Sequence, residues 1–275
     1  MELKKEDLMA ISPDARTPGE TLEKTSSAYA AKIGYPIWKS FLSAFLAGLF
    51  IAFGGLYYCL AIGDTEAPFM AQRVVGGTVF SVGLVFVLVA GADLFTGNTL
   101  GATSVANKKA KLPSFIRNLI VVWIGNLAGS LFAVLLVFFS GVAGMNGGGV
   151  EHAMIHVAET KMDIAWTTIF VKGILCNLFV CLAVWIGMTS KTVVDKVIGI
   201  ILPISAFVSC GFEHCVANMF FLPLGVALNT VSAHPVEVVN MTGIFFNLSA
   251  ATLGNIVGGL IIGMTYWAIY HKKAA

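Results

Sequence analysis

Apolar residues run along this chain in six long stretches, at roughly 41 to 62, 74 to 106, 115 to 140, 164 to 188, 197 to 228 and 243 to 270, with charged residues gathered in the segments between. Each stretch holds the about 20 mostly apolar residues that a helix needs to cross the hydrocarbon core of a bilayer. No stretch before Trp38 competes. The pattern predicts an all-α integral membrane fold with six transmembrane helices. It divides the chain into an N-terminal segment at 1–37, a transport unit at 38–271 and a short tail at 272–275.

Composition agrees with this reading. Hydrophobic residues make up 57% of the 275 and charged residues 12%, against about 25% charged in soluble domains. The net charge of +2 is scattered, which argues against a nucleic-acid surface, since that needs Lys and Arg clustered on one face. All five cysteines fall in apolar stretches, without a Cys-x-x-Cys pair or a histidine at zinc spacing. They read as buried structural thiols, with no metal or cofactor implied. The first forty residues carry six basic and six acidic side chains and no apolar core, so a cleaved signal peptide is not expected.

The charges also orient the chain. One side receives Lys32, Lys39, Lys108, Lys109, Lys111, Arg117, Lys191, Lys196, Lys272 and Lys273; the other receives Arg73 and Lys161. Because cytoplasmic loops carry the Lys/Arg excess, both termini are expected in the cytoplasm of a multi-pass protein of the inner (plasma) membrane. Loops 63 to 72, 141 to 163 and 229 to 242 then lie outside.

An internal repeat is visible. Gly-Asn-x-x-Gly occurs at Gly125, Asn126 and Gly129 and again at Gly254, Asn255 and Gly258. An octet in the second stretch, Gly91-Ala-Asp93-Leu-Phe-Thr-Gly-Asn98, aligns without a gap to Gly211-Phe-Glu213-His-Cys-Val-Ala-Asn218 in the fifth. The repeats, at about 38–140 and 164–270, hold three spans each, so equivalent helices run in opposite directions, as in many transporters. An acid with polar neighbours costs several kcal/mol facing lipid. Irregular backbone at membrane depth is tolerated only inside protein or against a watery cavity. Residues 93 to 99 and 212 to 218 are therefore expected to break the second and fifth helices beside a pore, where half-helix N-termini suit an anion. Two kinked helices in a compact bundle are the plainer alternative.

The octets, together with Gly173-Ile-Leu-Cys-Asn177, resemble the formate/nitrite transporter family over nearly all of Trp38 to Tyr270. Phe95, Thr96 and the run Met219 to Pro223 look more like its formate channels than its nitrite or hydrosulfide members. The resemblance implies a homopentamer of aquaporin-like protomers, each with its own pore, for formate, nitrite or hydrosulfide and, less selectively, acetate or lactate. An aquaporin itself is disfavoured, since Asn-Pro-Ala occurs at neither break. The resemblance further implies a pore loop of Leu94, Phe95 and Thr96, an outer constriction of Phe80 and Phe207, and an inner one of Leu84, Leu94, Phe95 and Val180. It also matches His214 to a central histidine, Asn177, Asn218 and Asn255 to family asparagines, and Lys161 to a lysine that draws anions to the outer mouth. From the residues alone, Phe80 and Phe207 read as ordinary core.

His214 is the one histidine of five inside an apolar stretch, and an intramembrane ionisable residue is a functional candidate by default. A bare anion stalls at apolar rings, whereas its neutral acid passes more easily. His214, with Thr96, is therefore expected to protonate the anion between the two constrictions, favouring uptake at low outside pH; a satisfied packing histidine is the bland reading. Asp93 and Glu213 are read as carboxylates that cap N–H groups freed at the helix breaks. Lys172, inside the fourth stretch, has no assigned partner. A membrane oxidoreductase subunit would need several intramembrane His or Cys ligands, which one histidine does not supply. A scaffold or receptor would have no use for polar interrupted helices.

Overall fold

The computed structural model describes residues 15–63 and 66–271, which form helices joined by short loops with no strand. Lys272, Lys273 and the charged residues of the first fourteen positions lie outside the described residues. Helix α1, Pro18–Ile33, precedes α2, Ile37–Ile62. Next comes α3, Phe69–Phe80, prolonged through Val82–Val85 and a π-helical turn at Phe86–Gly91. The chain then leaves helical geometry at 92–94 and resumes as α4, Phe95–Asn98, and α5, Ala102–Ala106. Beyond these lie α6, Leu112–Phe139; α7, Gly149–Met162; α8, Trp166–Thr189; α9, Val193–Ser209; α10, Cys215–Asn229; and α11, Met241–Tyr270.

Among the described residues five helical runs are long and apolar enough to cross a membrane: Ile37–Ile62, Phe69–Gly91, Leu112–Phe139, Trp166–Thr189 and Met241–Tyr270. The fifth stretch, expected to be interrupted, is two helices, α9 and α10, meeting at a bend over 210–214. The bend turns at Gly211, whose φ of +68° lies in the left-handed region that glycine tolerates. Gly91, at φ +91°, does the same before the other break. Four cysteines are buried as expected, but Cys210 is exposed, because it caps the end of α9 just where the chain bends away.

The repeat is visible in the packing. The most extensive helix pairings are α2 with α6 and α8 with α11, the first and third spans of each half. Small residues allow this approach. A Cβ on Gly129 would overlap the Phe45 carbonyl, and one on Gly254 would overlap that of Phe170. Outward faces carry exposed apolar side chains such as Leu135, Phe139, Leu202 and Phe245, as a surface against lipid or a neighbouring copy requires. At one end lies α1, started by a capping box in which Thr17 and Glu20 exchange hydrogen bonds. Its stripe of Leu22, Thr25, Ser26, Tyr29 and Ile33 is buried beneath the ends of α5 and α8. Across the molecule, α7 lies against α10.

Candidate functional site

The two breaks are built alike. At the first, Asn126 of α6 accepts the Phe95 N–H at 2.8 Å and donates to the carbonyls of Ala44 and Asp93 at 2.8 and 2.9 Å. At the second, Asn255 of α11 accepts the Cys215 N–H at 2.9 Å and donates to Gly173 and Glu213 carbonyls at 2.8 and 2.9 Å. The asparagines of the Gly-Asn-x-x-Gly repeat thus satisfy the backbone that the broken helices release, as buried amide groups require. Asn177 of α8 ties the breaks together, donating to the Thr96 and Asn255 carbonyls.

This corrects two expectations. The breaks are shorter than 93 to 99 and 212 to 218, because Phe95 and Cys215 already begin returning half-helices. The carboxylates do not cap the freed N–H groups either, since the asparagines occupy those donors. Instead Asp93 pairs with Lys32 at 2.8 Å and Glu213 with Lys161 at 3.0 Å. Glu213 also accepts from Asn218 at 2.6 Å and Asn247 at 3.2 Å. Asp93 accepts from Asn98 at 3.5 Å, which in turn donates to Asn118 at 3.0 Å. The repeat extends to the lysines: each stands just before the end of a short helix, Lys32 on α1 and Lys161 on α7, that leads into the first span of its half.

Between the breaks lies the centre. His214 caps α10, its Nδ1 accepting the Ala217 N–H at 3.0 Å. The neutral ring therefore carries its proton on Nε2, which stands 3.0 Å from Thr96 Oγ1 and donates to it. Both side chains are buried. On the Lys161 side the Phe80 and Phe207 rings meet edge to face with centroids 5.9 Å apart, and Phe207 stacks on His214 at 5.9 Å. A cavity of about 130 Å³ reaches them from that side, lined also by Arg73, Lys161, Lys172, Glu213 and Asn218. Leu84, Leu94, Phe95 and Val180 are buried in the same apolar cluster as the two phenylalanines.

At the opposite end the charges of α1 are tuned by their neighbours. Burial, with repulsion from Arg16 and Lys196, pushes the Lys24 ammonium down to about 8. Hydrogen bonds from Thr17 lower the Glu20 carboxyl, and one from Lys109 lowers that of Glu23.

Residues 19–268 match the formate/nitrite transporter family model. The chain belongs to the formate/nitrite transporter family. A relative in Haemophilus influenzae, formate channel FocA, is 36% identical over 264 residues, covering 91% of this chain and 93% of that protein. Among solved structures, a pentameric formate channel with formate bound superposes with a TM-score of 0.76 at 33% identity, covering 85% of this chain and 97% of that one. An FNT family ion channel reaches 0.79 at 29% identity, covering 91% and 98%.

Within this formate/nitrite transporter, three parts of the site escaped the sequence reading. Asn126 had a signal, the repeated Gly-Asn-x-x-Gly, which also suits plain helix packing. Asn118 and Asn247, which hold Asn98 and Asn218, had none beyond lying in apolar stretches. Lys32 falls outside every apolar stretch and reads as a solvated cytoplasmic charge.

Proposed function

We propose that the protein is a passive, pH-dependent channel or proton-coupled carrier for small monovalent anions, formate foremost, and not an enzyme. In this reading it assembles as a homopentamer in the plasma membrane with both termini cytoplasmic and the Lys161 mouth outside. The observation that carries it is the His214 Nε2 to Thr96 Oγ1 hydrogen bond of 3.0 Å, buried between apolar constrictions. The names of its relatives support formate: FocA of H. influenzae and the pentameric channel with formate bound. Nitrite, hydrosulfide, acetate and lactate are the competing cargoes.

The mechanism follows from the ring. An anion passing Phe80 and Phe207 loses its hydration, and its charge becomes costly. At the centre it meets a polar edge, Nε2–H with the Thr96 hydroxyl. A neutral imidazole that gave up its proton would become an anion itself, so a donating His214 must first carry two protons. The second sits on Nδ1 and displaces the Ala217 N–H. Proton transfer from Nε2 to formate leaves a neutral ring protonated on Nδ1, which recovers its cap on Ala217 once Nδ1 releases that proton to water and Nε2 takes one up, and formic acid crosses the second constriction formed by Leu84, Leu94, Phe95 and Val180. Uptake rises as outside pH falls.

The test is formate uptake by proteoliposomes across a pH series. The parent should accelerate as outside pH drops, whereas His214→Phe should lose about tenfold or more of the low-pH rate, in line with a removed acid–base group, and flatten the profile. Unchanged pH dependence in His214→Phe would sink the proton-transfer reading. Parallel traces with nitrite and hydrosulfide rank the cargoes.

A further inference from the structure

The cavity above Phe80 and Phe207 holds three cations, Arg73, Lys161 and Lys172, and one carboxylate, Glu213. Lys161 is bound to that carboxylate at 3.0 Å, with its side chain 14% exposed. Its charge is thus neutralised locally, which leaves it a poor lure for an anion. Lys172 and Arg73 differ. Both are half-buried, both line the cavity, and neither has a carboxylate partner among the described residues. The Arg73 guanidinium rests over the Phe69 ring, 5.2 Å from its centroid, which orients it without cancelling its charge.

The repeat sharpens the contrast. The Glu213 N–H donates to the Lys172 carbonyl at 3.4 Å, and the Asp93 N–H donates to the Ser43 carbonyl at the same distance. Lys172 and Ser43 therefore occupy equivalent positions in the two halves. The acid, the asparagines and the paired lysine are duplicated at both mouths; the unpaired lysine is present at one. A helix-packing role would not call for an ammonium here, since the duplicate position is served by a serine.

We propose that Lys172 and Arg73 form an anion-collecting site at the Lys161-side mouth, separate from the Lys161–Glu213 pair, which holds one small monovalent anion before it meets the phenylalanine constriction. The cavity of about 130 Å³ has room for an anion of a few heavy atoms with some water, given that about 10 to 15 Å³ of such space holds one water molecule. Charges lining a cleft with low-dielectric walls raise the local concentration of the opposite ion and weaken as salt screens them. The site speeds capture without taking part in proton transfer. The proposal rests on reading the pore as an anion path.

Two measurements test it. In proteoliposomes containing the full-length protein, Lys172→Gln and Lys172→Gln/Arg73→Gln should raise the half-saturating formate concentration about tenfold at low ionic strength, the low end of the range for electrostatic focusing. The gap should close at high ionic strength, the maximal rate should be unchanged, and Lys172→Arg should behave as the parent. A Lys172→Gln protein with parental half-saturation and parental salt dependence overturns the proposal. The second measurement needs no transport: a membrane-impermeant N-hydroxysuccinimide ester acylates Lys172, and formate or thiocyanate, but not sulfate at matched ionic strength, should protect it. Acylation indifferent to both anions overturns the site. Protection in a protein that moves no formate would instead defeat the transport reading and leave the site standing.

Discussion

Asn126 and Asn255 each take in one released N–H, cover the released carbonyl of Asp93 or Glu213 and anchor to a carbonyl of the neighbouring span, Ala44 or Gly173, so the irregular backbone that makes the pore stands on two amide side chains. Removing one leaves buried amide groups unpartnered at about 1 to 3 kcal/mol each. Asn126→Ala should lower the thermal unfolding midpoint of the detergent-solubilised protein and abolish formate uptake, and a change at an exposed position such as Thr167→Ala should do far less. A midpoint for Asn126→Ala equal to the parent's would mean that other groups satisfy the break. His214 could be found in the sequence because a titratable ring is conspicuous among apolar neighbours. The role of Asp93 and Glu213 could not, because a carboxylate beside freed N–H groups looks like a cap until the amides that outcompete it are seen in space.

The helices themselves were legible. Five of the six stretches became long spans, since length and continuous apolarity leave a membrane helix little alternative. The edges of the breaks were less legible: the final four residues of each octet have ordinary helical geometry, and only the Asn126 and Asn255 caps reveal where the half-helices start. Close helix pairing depends on glycine where backbones meet. Gly129→Ala inserts a methyl group against the Phe45 carbonyl and should destabilise by about 1 to 3 kcal/mol, read as loss of folded oligomer on size-exclusion chromatography. For α1 the expected behaviour is electrostatic. Lys24, which donates to the Met188 carbonyl at 3.2 Å, has its ammonium lowered from 10.5 to about 8. The undocked helix binds that proton more tightly, so docking is weakest below about 8 and strengthens as pH climbs toward 10.5. Hydrogen exchange of the α1 amides, corrected for intrinsic rates, should slow across that window in the parent and stay flat in Lys24→Met.

At the scale of the molecule, the proposed even number of crossings and the lysine bias predict an orientation that a single label can check. Asn146 is exposed on the Lys161 side, so Asn146→Cys in intact cells should react with an impermeant maleimide added outside; reaction only after the cells are opened would invert the proposed topology. The composition announced the bilayer and the octets announced the breaks, while the pairing of Lys32 with Asp93 and of Lys161 with Glu213 emerged only in three dimensions, since both lysines lie outside the apolar stretches that first marked the spans. The duplication has a consequence for direction. Two halves of one pattern, facing opposite ways, give a passage whose frame has no forward or reverse. The duplication holds at the glycines, the acids and the asparagines and fails at many positions between them, among which Leu94 stands opposite His214 and Ser43 opposite Lys172. A path without an energy source must balance at equal electrochemical potential whatever its shape, so these mismatches cannot pump. They can make loading from one side easier than from the other, and any rectification of the flux has to originate in them.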